Sequence, residues 1–203
     1  MIKFKGGFYN RFLKRPLDVF LSMLALLLLS PVFLLVAILV RVKLGSPILF
    51  KQKRPGINET MFTMYKFRTM TNEKGRDGEL LSDDERLTKF GKILRSSSLD
   101  ELPSLFNILK GEMSIVGPRP LLTKYLPYYT DRERKRHSVR PGLTGLSQVN
   151  GRNLLDWETR LALDVKYVEK ISFVYDVYIM ALTFKNVLQR KDIAVGSQHI
   201  LQN

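Results

Sequence analysis

The chain has 203 residues, enough for one compact domain or for a domain plus an anchor, and too few for two large lobes. Lys and Arg outnumber Asp and Glu by 33 to 19, and the resulting charge of +14 favours an anionic partner such as lipid, nucleic acid or a nucleotide. With no cysteine and only His137 and His199, thiolate chemistry is excluded and a His-rich zinc centre or serine–histidine triad has little material, so catalysis must rest on carboxylates, Arg and Lys.

From Val19 to Val40 there are 22 residues without a charge. A straight helix of that length covers roughly 33 Å, comparable with a bilayer core of about 30 Å. Ser30-Pro31 interrupts the run near its middle, where proline removes a backbone donor and kinks a helix. Lys3, Lys5, Arg11, Lys14 and Arg15 precede the run, and Arg41, Lys43, Lys51, Lys53 and Arg54 follow it. Positive charge on both flanks places both on the cytoplasmic side. A re-entrant hairpin bent at Ser30-Pro31 satisfies both observations, with the serine hydroxyl serving a freed carbonyl. A spanning helix is the alternative; a cleaved signal peptide fits poorly, because the run is too long and no small-residue cleavage site follows. The expected organisation is a basic N-terminus with a re-entrant helix over 1–43 and a cytosolic-face domain over 44–203.

Pro47 to Arg68 reads as two short strands around the turn Arg54-Pro55-Gly56-Ile57-Asn58. In the second strand Met61, Thr63, Tyr65 and Phe67 share one face, and Lys66 and Arg68 project together from the other. Thr71 to Glu85 is polar and reads as a mobile loop, followed by a helix through Leu87, Phe90, Ile93 and Leu94. Trp157 to Val168 has helical spacing with Asp164 on its apolar face, and such a carboxylate needs a partner or a function. Ile171 to Leu188 carries Asp176 and Lys185 and is a poor span, better suited to an interfacial helix or one packed beneath the domain. The fold class expected is α+β, mainly helical with a small β-hairpin, monotopic on a membrane.

Three segments carry candidate chemistry. In Arg95-Ser-Ser-Ser-Leu-Asp-Glu-Leu-Pro-Ser-Leu-Phe-Asn107, Ser98 and Glu101 have the spacing of a capping box, but Pro103 makes that awkward. A helix beginning at about Asp100 instead puts Asp100 and Glu101 at its N-terminus, which favours ionised carboxylates and a bound phosphate. Adjacent helical positions diverge by about 100°, so the pair suits one nucleophile and one metal or proton partner. In Val116-Gly-Pro-Arg-Pro120, prolines on both sides present Arg119 from a stiff backbone, suited to gripping phosphate. Arg140-Pro-Gly-Leu-Thr-Gly145 and Gln148-Val-Asn-Gly-Arg152 supply glycines that allow close approach of a ligand.

Taken in order, the anchor, YKFRTM (Tyr65 to Met70), SLDELP, GEMSIVGPRP, RPGLTG with QVNGR, LDVKYV and the acid of Phe173-Val-Tyr-Asp176 resemble the small monotopic phosphoglycosyl transferases of the bacterial sugar transferase family. The resemblance implies transfer of a phospho-sugar from a UDP-sugar to undecaprenyl phosphate, with release of UMP and Mg²⁺ as cofactor. It implies Asp100 as nucleophile in a ping-pong sequence, and Glu101 as a partner to the metal or to a proton. Arg119 takes the role of phosphate grip, and Asp164 and Asp176 those of required acids. Arg95, Lys66, Arg68 and Arg152 are assigned to phosphate or nucleotide contact. Leu146 stands where many relatives carry an aromatic residue, which touches the details of the nucleotide or sugar pocket. The implied location is the cytoplasmic face of the bacterial inner membrane, with membrane lipids and other glycan-assembly enzymes as partners and no nucleic acid. Two rivals are a membrane-tethered basic module binding nucleic acid or anionic lipid, and an inactive scaffold for glycan enzymes.

Overall fold

The computed structural model describes residues 7–151 and 154–189. Lys3, Lys5, Arg152 and His199 therefore lie outside the described residues. The uncharged run forms two helices. A π-helical turn, Tyr9–Leu13, leads into α1, Lys14–Leu28, and α2, Ser30–Leu44, follows with only Leu29 between them. The two segments are bent by 65°. Pro31 occupies the first turn of α2, where its missing N–H has no partner to lose, and the Ser30 hydroxyl donates to the Leu27 carbonyl at 2.8 Å. The break thus falls at the expected place, for the expected reason. Among the described residues no single helix is long and apolar enough to cross a membrane, whereas the bent pair has the necessary length and composition.

β1, Leu49–Pro55, pairs antiparallel with β2, Met61–Phe67, from Leu49↔Phe67 to Pro55↔Met61. The connection turns through Asn58 and Glu59, both left-handed at φ 50° and 63°. Both faces of β2 contribute buried residues, Phe67 on one and Phe62 with Met64 on the other. Phe62 and Met64 are buried and pack with Leu105, Ile108 and Met113, while Met61 is exposed. Lys66, in phase with Phe62 and Met64, is consequently aimed toward the helix that covers this face.

The polar segment expected as a mobile loop is pinned instead. Lys74 bridges Leu80, Ser82 and Glu85 form a reciprocal capping box on the turn Asp83–Arg86, and Arg86 Nε donates to the Thr71 carbonyl at 3.0 Å. α3, Lys89–Ser96, follows with Thr88 Oγ1 capping the Gly91 N–H. α4, Ser104–Lys110, precedes β3, Ser114–Val116, which pairs in parallel with β4, Gly142–Thr144. This second ladder has three-residue strands, too short for a period-two pattern to register. α5, Trp157–Glu169, is capped by Asp156, and α6, Phe173–Gln189, closes the described chain. The fold is mainly helical with a small antiparallel hairpin, as expected.

Two clusters hold the site in place. Val36 and Val40 of α2 pack with Phe67 and Leu94, tying the bent pair to the hairpin and α3. Val116, Val139, Leu146, Tyr167, Val168 and Ile179 join β3 to α5 and α6. Leu146 is therefore a core residue. α6 exposes Phe173, Val174, Val177, Tyr178, Phe184 and Leu188, and the bent pair exposes Phe20, Leu27, Leu28, Leu34 and Leu35.

Candidate active site

The local backbone places the two carboxylates. Ser98 is left-handed at φ 58°, ψ 14° and makes no side-chain cap, so the Ser98–Glu101 capping box is not formed. Leu99–Glu101 is a short 3₁₀ turn, and Pro103, at φ −62°, stands as the N-cap of α4. Asp100 and Glu101 therefore precede the helix rather than opening it, a correction to the helix start expected at about Asp100. Having no N–H, Pro103 cannot donate to a carbonyl of the preceding turn, and α4 begins at Ser104.

What fixes this turn is an unusual join between α4 and the hairpin. One edge of β2 faces β1; the other would leave backbone groups unpaired. Ser104 and Asn107, both fully buried, supply side-chain partners for it. Ser104 Oγ donates to the Tyr65 carbonyl at 2.8 Å, Asn107 Oδ1 accepts from Tyr65 N at 3.1 Å, and Asn107 Nδ2 donates to the Thr63 carbonyl at 2.7 Å. Two side chains one helical turn apart thus act in place of a third strand. The consequence is positional: the turn just before α4 is set beside Lys66.

Lys66 Nζ donates to Glu101 Oε1 at 2.6 Å, and Arg119 Nη2 donates to the same oxygen at 2.8 Å. These two cations hold the Glu101 carboxyl far below its usual range against the cost of burial. Asp100 is 8 % exposed, and among the described residues no side chain hydrogen-bonds its carboxylate. Burial, reinforced by the Glu101 charge, pushes Asp100 up to about 6, while Lys66, Arg119 and Arg95 pull the other way. The site therefore pairs a locked anion with an adjacent carboxylate that is electrostatically strained, unpaired and ionised at neutral pH. A carboxylate in that condition is a candidate nucleophile.

Arg119 comes from the Pro118-Arg-Pro120 segment, with about a third of its side chain exposed. Its backbone is gripped from below. Arg136, 1 % exposed, donates through Nη2 to the Arg119 carbonyl at 2.5 Å and to Asp164 Oδ2 at 2.7 Å, and through Nε to Asp164 Oδ2 at 3.1 Å. Asp164 Oδ1 accepts from Ser147 Oγ at 2.8 Å. The carboxylate on the apolar face of α5 thus forms a buried ion pair whose arginine holds the backbone of the Arg119 segment.

The glycines have a related role. A Cβ on Gly142 would lie 2.1 Å from Gly117 N, and one on Gly145 would lie 2.1 Å from the Gly117 carbonyl. The close approach expected for a ligand is made by the backbone of the Arg119 segment. Gly117 N donates to the Thr144 carbonyl at 2.9 Å and Gly142 N to the Pro118 carbonyl at 2.9 Å, fixing that segment on β4.

Among the other candidates, Arg95 acts electrostatically on Asp100 and donates to Thr69 Oγ1 at 3.0 Å. Arg68 does not project with Lys66. It donates to the Ser46 carbonyl at 2.8 Å, because it lies beyond the end of β2 where the alternation no longer governs. Asp176 is bound by Lys14, by Tyr9 OH at 2.8 Å and by Tyr167 OH at 2.8 Å, joining α6 to the N-terminal helix. Arg152 lies outside the described residues. Sequence reasoning missed Arg54 and Arg136. Arg54 donates to the Pro120 carbonyl at 3.3 Å and feels the charges of Arg119 and Glu101, with burial as the main cause of its lowered proton affinity. Its position directly before Pro55-Gly56 was the available signal; Arg136 sits in a basic run and gave none.

The donor set suits Mg²⁺. Among the described residues Asp100 and the second Glu101 oxygen are two carboxylate donors without a hydrogen-bonding protein partner, and magnesium commonly takes one or two carboxylates together with water and substrate phosphate. Among the described residues no group of three or more acidic or histidine side chains could hold a metal by itself.

The family model for bacterial sugar transferases matches residues 9–190. The chain is 50% identical over 181 residues to the uncharacterized sugar transferase EpsL of Bacillus subtilis, covering 89% of this chain and 90% of the relative. It is 42% identical over 191 residues to the exopolysaccharide production protein ExoY of Sinorhizobium fredii, covering 86% and 84%. It is also 38% identical over 192 residues to a UDP-glucose:undecaprenyl-phosphate glucose-1-phosphate transferase of Klebsiella pneumoniae, covering 89% of this chain but 41% of that protein. The match spans every segment that builds the Asp100 site, and the chain belongs to the bacterial sugar transferase family, as a phosphoglycosyl transferase.

Proposed function

We propose that this chain transfers a sugar phosphate from a UDP-sugar to undecaprenyl phosphate on the cytoplasmic face of the bacterial inner membrane, at the start of exopolysaccharide or related glycan assembly. The observation that carries the reading is the Asp100 carboxylate, buried and, among the described residues, without a hydrogen-bonding partner beside a Glu101 locked by Lys66 and Arg119. An Asp100 oxygen attacks the β-phosphorus of the nucleotide sugar. The bond from that phosphorus to the bridging oxygen breaks, UMP departs with the electron pair, and the phospho-sugar remains on Asp100 as an acyl phosphate. An oxygen of undecaprenyl phosphate then attacks the same phosphorus and expels the Asp100 carboxylate, giving the lipid diphosphate sugar and the original enzyme.

Arg119 and Arg95 stabilise the negative charge of the transferring phosphoryl group, and Lys66 holds Glu101 in place. Asp100 and Glu101 would hold Mg²⁺, which supplies charge neutralisation at the phosphate oxygens when bound. The bent α1–α2 pair enters and leaves the bilayer by one face, with residues 1–43 as the anchor and 44–203 as the catalytic domain. The exposed apolar faces of that pair and of α6 support this seating, because patches of that size on a water-soluble surface would be costly. It brings a lipid phosphate and a soluble nucleotide sugar to one depth. The test is UMP release by detergent-solubilised or nanodisc-held enzyme across a panel of UDP-sugars with polyprenol phosphate. One or a few sugars should support turnover, and Asp100→Asn should support none with membrane association unchanged. Full turnover by that variant would overturn the assignment.

A further inference from the structure

A second cluster of cations surrounds a cavity of about 190 Å³ that none of Asp100, Glu101, Lys66, Arg95 or Arg119 lines. Asn10, Lys14, Arg15 and Asp18 face it from the N-terminal helix, and Ser138 and Arg140 from the loop before β4. A liquid water occupies roughly 30 Å³, so the space admits a phosphate group.

The charges around it are unequal. Lys14 is neutralised by Asp176. Asp18 accepts from Ser114 Oγ at 2.7 Å and from Ile115 N at 3.0 Å, which directs its oxygens to β3. Arg15 donates to the Ile108 and Leu109 carbonyls and Arg140 Nε to the Gly111 carbonyl, so both guanidinium groups converge on the C-terminal end of α4. Part of their role is therefore to cap that helix. The capping bonds leave Arg15 Nε, both terminal nitrogens of Arg140 and the Asn10 side-chain amide without a protein hydrogen-bond partner among the described residues. Arg15 loses proton affinity through burial and through the nearby Arg140 charge, as expected for two like charges sharing a site.

We propose that this cavity binds a phosphate-bearing anion, gripped by Arg15 and Arg140 with Asn10 as a further donor. The unpartnered Nε of Arg15 and the two terminal nitrogens of Arg140 are guanidinium donors that match phosphate oxygens. The favoured source is the headgroup of a membrane glycerophospholipid, because Phe12, Leu13 and Phe20, on the same N-terminal helix, are exposed and offer an apolar path for its chains. A soluble phosphate ester presents the same chemistry.

The test uses the full chain in neutral detergent micelles doped with phosphatidylglycerol, with diacylglycerol of the same chains, or with added glycerol 3-phosphate. Melting midpoint and retained lipid by native mass spectrometry are read for wild type and for Arg119→Ala, which removes the phosphate grip of the active site. Phosphatidylglycerol at ten times its Kd should raise the midpoint by about 3–6 °C in both proteins. Asn10→Asp places a carboxylate against Arg15 and Arg140; it should melt no lower than wild type without lipid and lose the phosphatidylglycerol shift. Arg140→Gln should lose the shift as well. A shift with glycerol 3-phosphate alone, abolished by Asn10→Asp, keeps the site and identifies a soluble ester as its source. Equal shifts from diacylglycerol and phosphatidylglycerol, or undiminished shifts in both cavity variants, would overturn the proposal.

Discussion

Replacing Asp100 by Asn should make the protein more stable while abolishing turnover. Asn keeps the shape of the side chain and removes the charge that burial and Glu101 oppose. The Asp100 carboxyl moves from 3.8 to about 6 on folding, and at about 1.4 kcal/mol per unit this amounts to about 3 kcal/mol at pH 7. For a chain of this length that corresponds to a rise of roughly 6–12 °C in melting midpoint. The sign follows from proton binding. Between about pH 4 and 6 the folded protein holds the Asp100 proton while the unfolded chain has lost it, so the contribution of Asp100 to wild-type stability falls, relative to the Asn variant, as pH rises through this window. Below pH 4 the carboxyl is protonated in both states and the variant should have no advantage. Thermal unfolding of both proteins in one detergent at pH 4, 5, 6 and 7 measures the growing gap. An Asn variant that melts at or below wild type at pH 7 would refute the electrostatic strain assigned to Asp100.

Other expectations concern the supports of the site. Arg136→Ala should cost about 3–5 kcal/mol by leaving Asp164 buried and unpaired. The double change Arg136→Met with Asp164→Leu should recover much of that stability in urea unfolding, yet keep a lowered kcat/KM because the Arg119 carbonyl loses its donor. Asn107→Ala should cost roughly 2–4 kcal/mol, since Tyr65 N and the Thr63 carbonyl both lose a buried partner; the same unfolding experiment checks it. The chain has no cysteine, so Gly7→Cys gives a single topology reporter. It should react with an impermeant thiol reagent only from the cytoplasmic side, and Pro31→Ala should shift a fraction to the outer side by straightening the bend.

Much of this architecture could be read from local chemistry. Ser30-Pro31 acts through a missing N–H and a nearby hydroxyl, both properties of adjacent residues, and the break falls there. α3 and α5 follow helical spacing for the same reason. The failures are cases in which a distant segment decides. The burial of Phe62 and Met64 on β2 depends on α4, about forty residues away, and Asn107 gives no sequence sign that it will complete a strand edge. Arg136 looks like one more cation in a basic run until Asp164 and the Arg119 carbonyl are brought to it. The glycines of RPGLTG read as room for a ligand, whereas the chain itself fills that room. Asp100, Glu101 and Arg119 were recognisable as an ordered set; Lys66 as the partner of Glu101 required the hairpin and α4 to be stitched together.

The measurement closest to the central claim is intact and peptide mass spectrometry of the enzyme incubated with its UDP-sugar and Mg²⁺ in the absence of polyprenol phosphate. Stoichiometric release of UMP should accompany a phospho-sugar mass on the peptide containing Asp100, and adding polyprenol phosphate should remove that mass and form the lipid product. UMP release only after the lipid is added, with no adduct at any stage, or an adduct on a residue other than Asp100, would contradict the account.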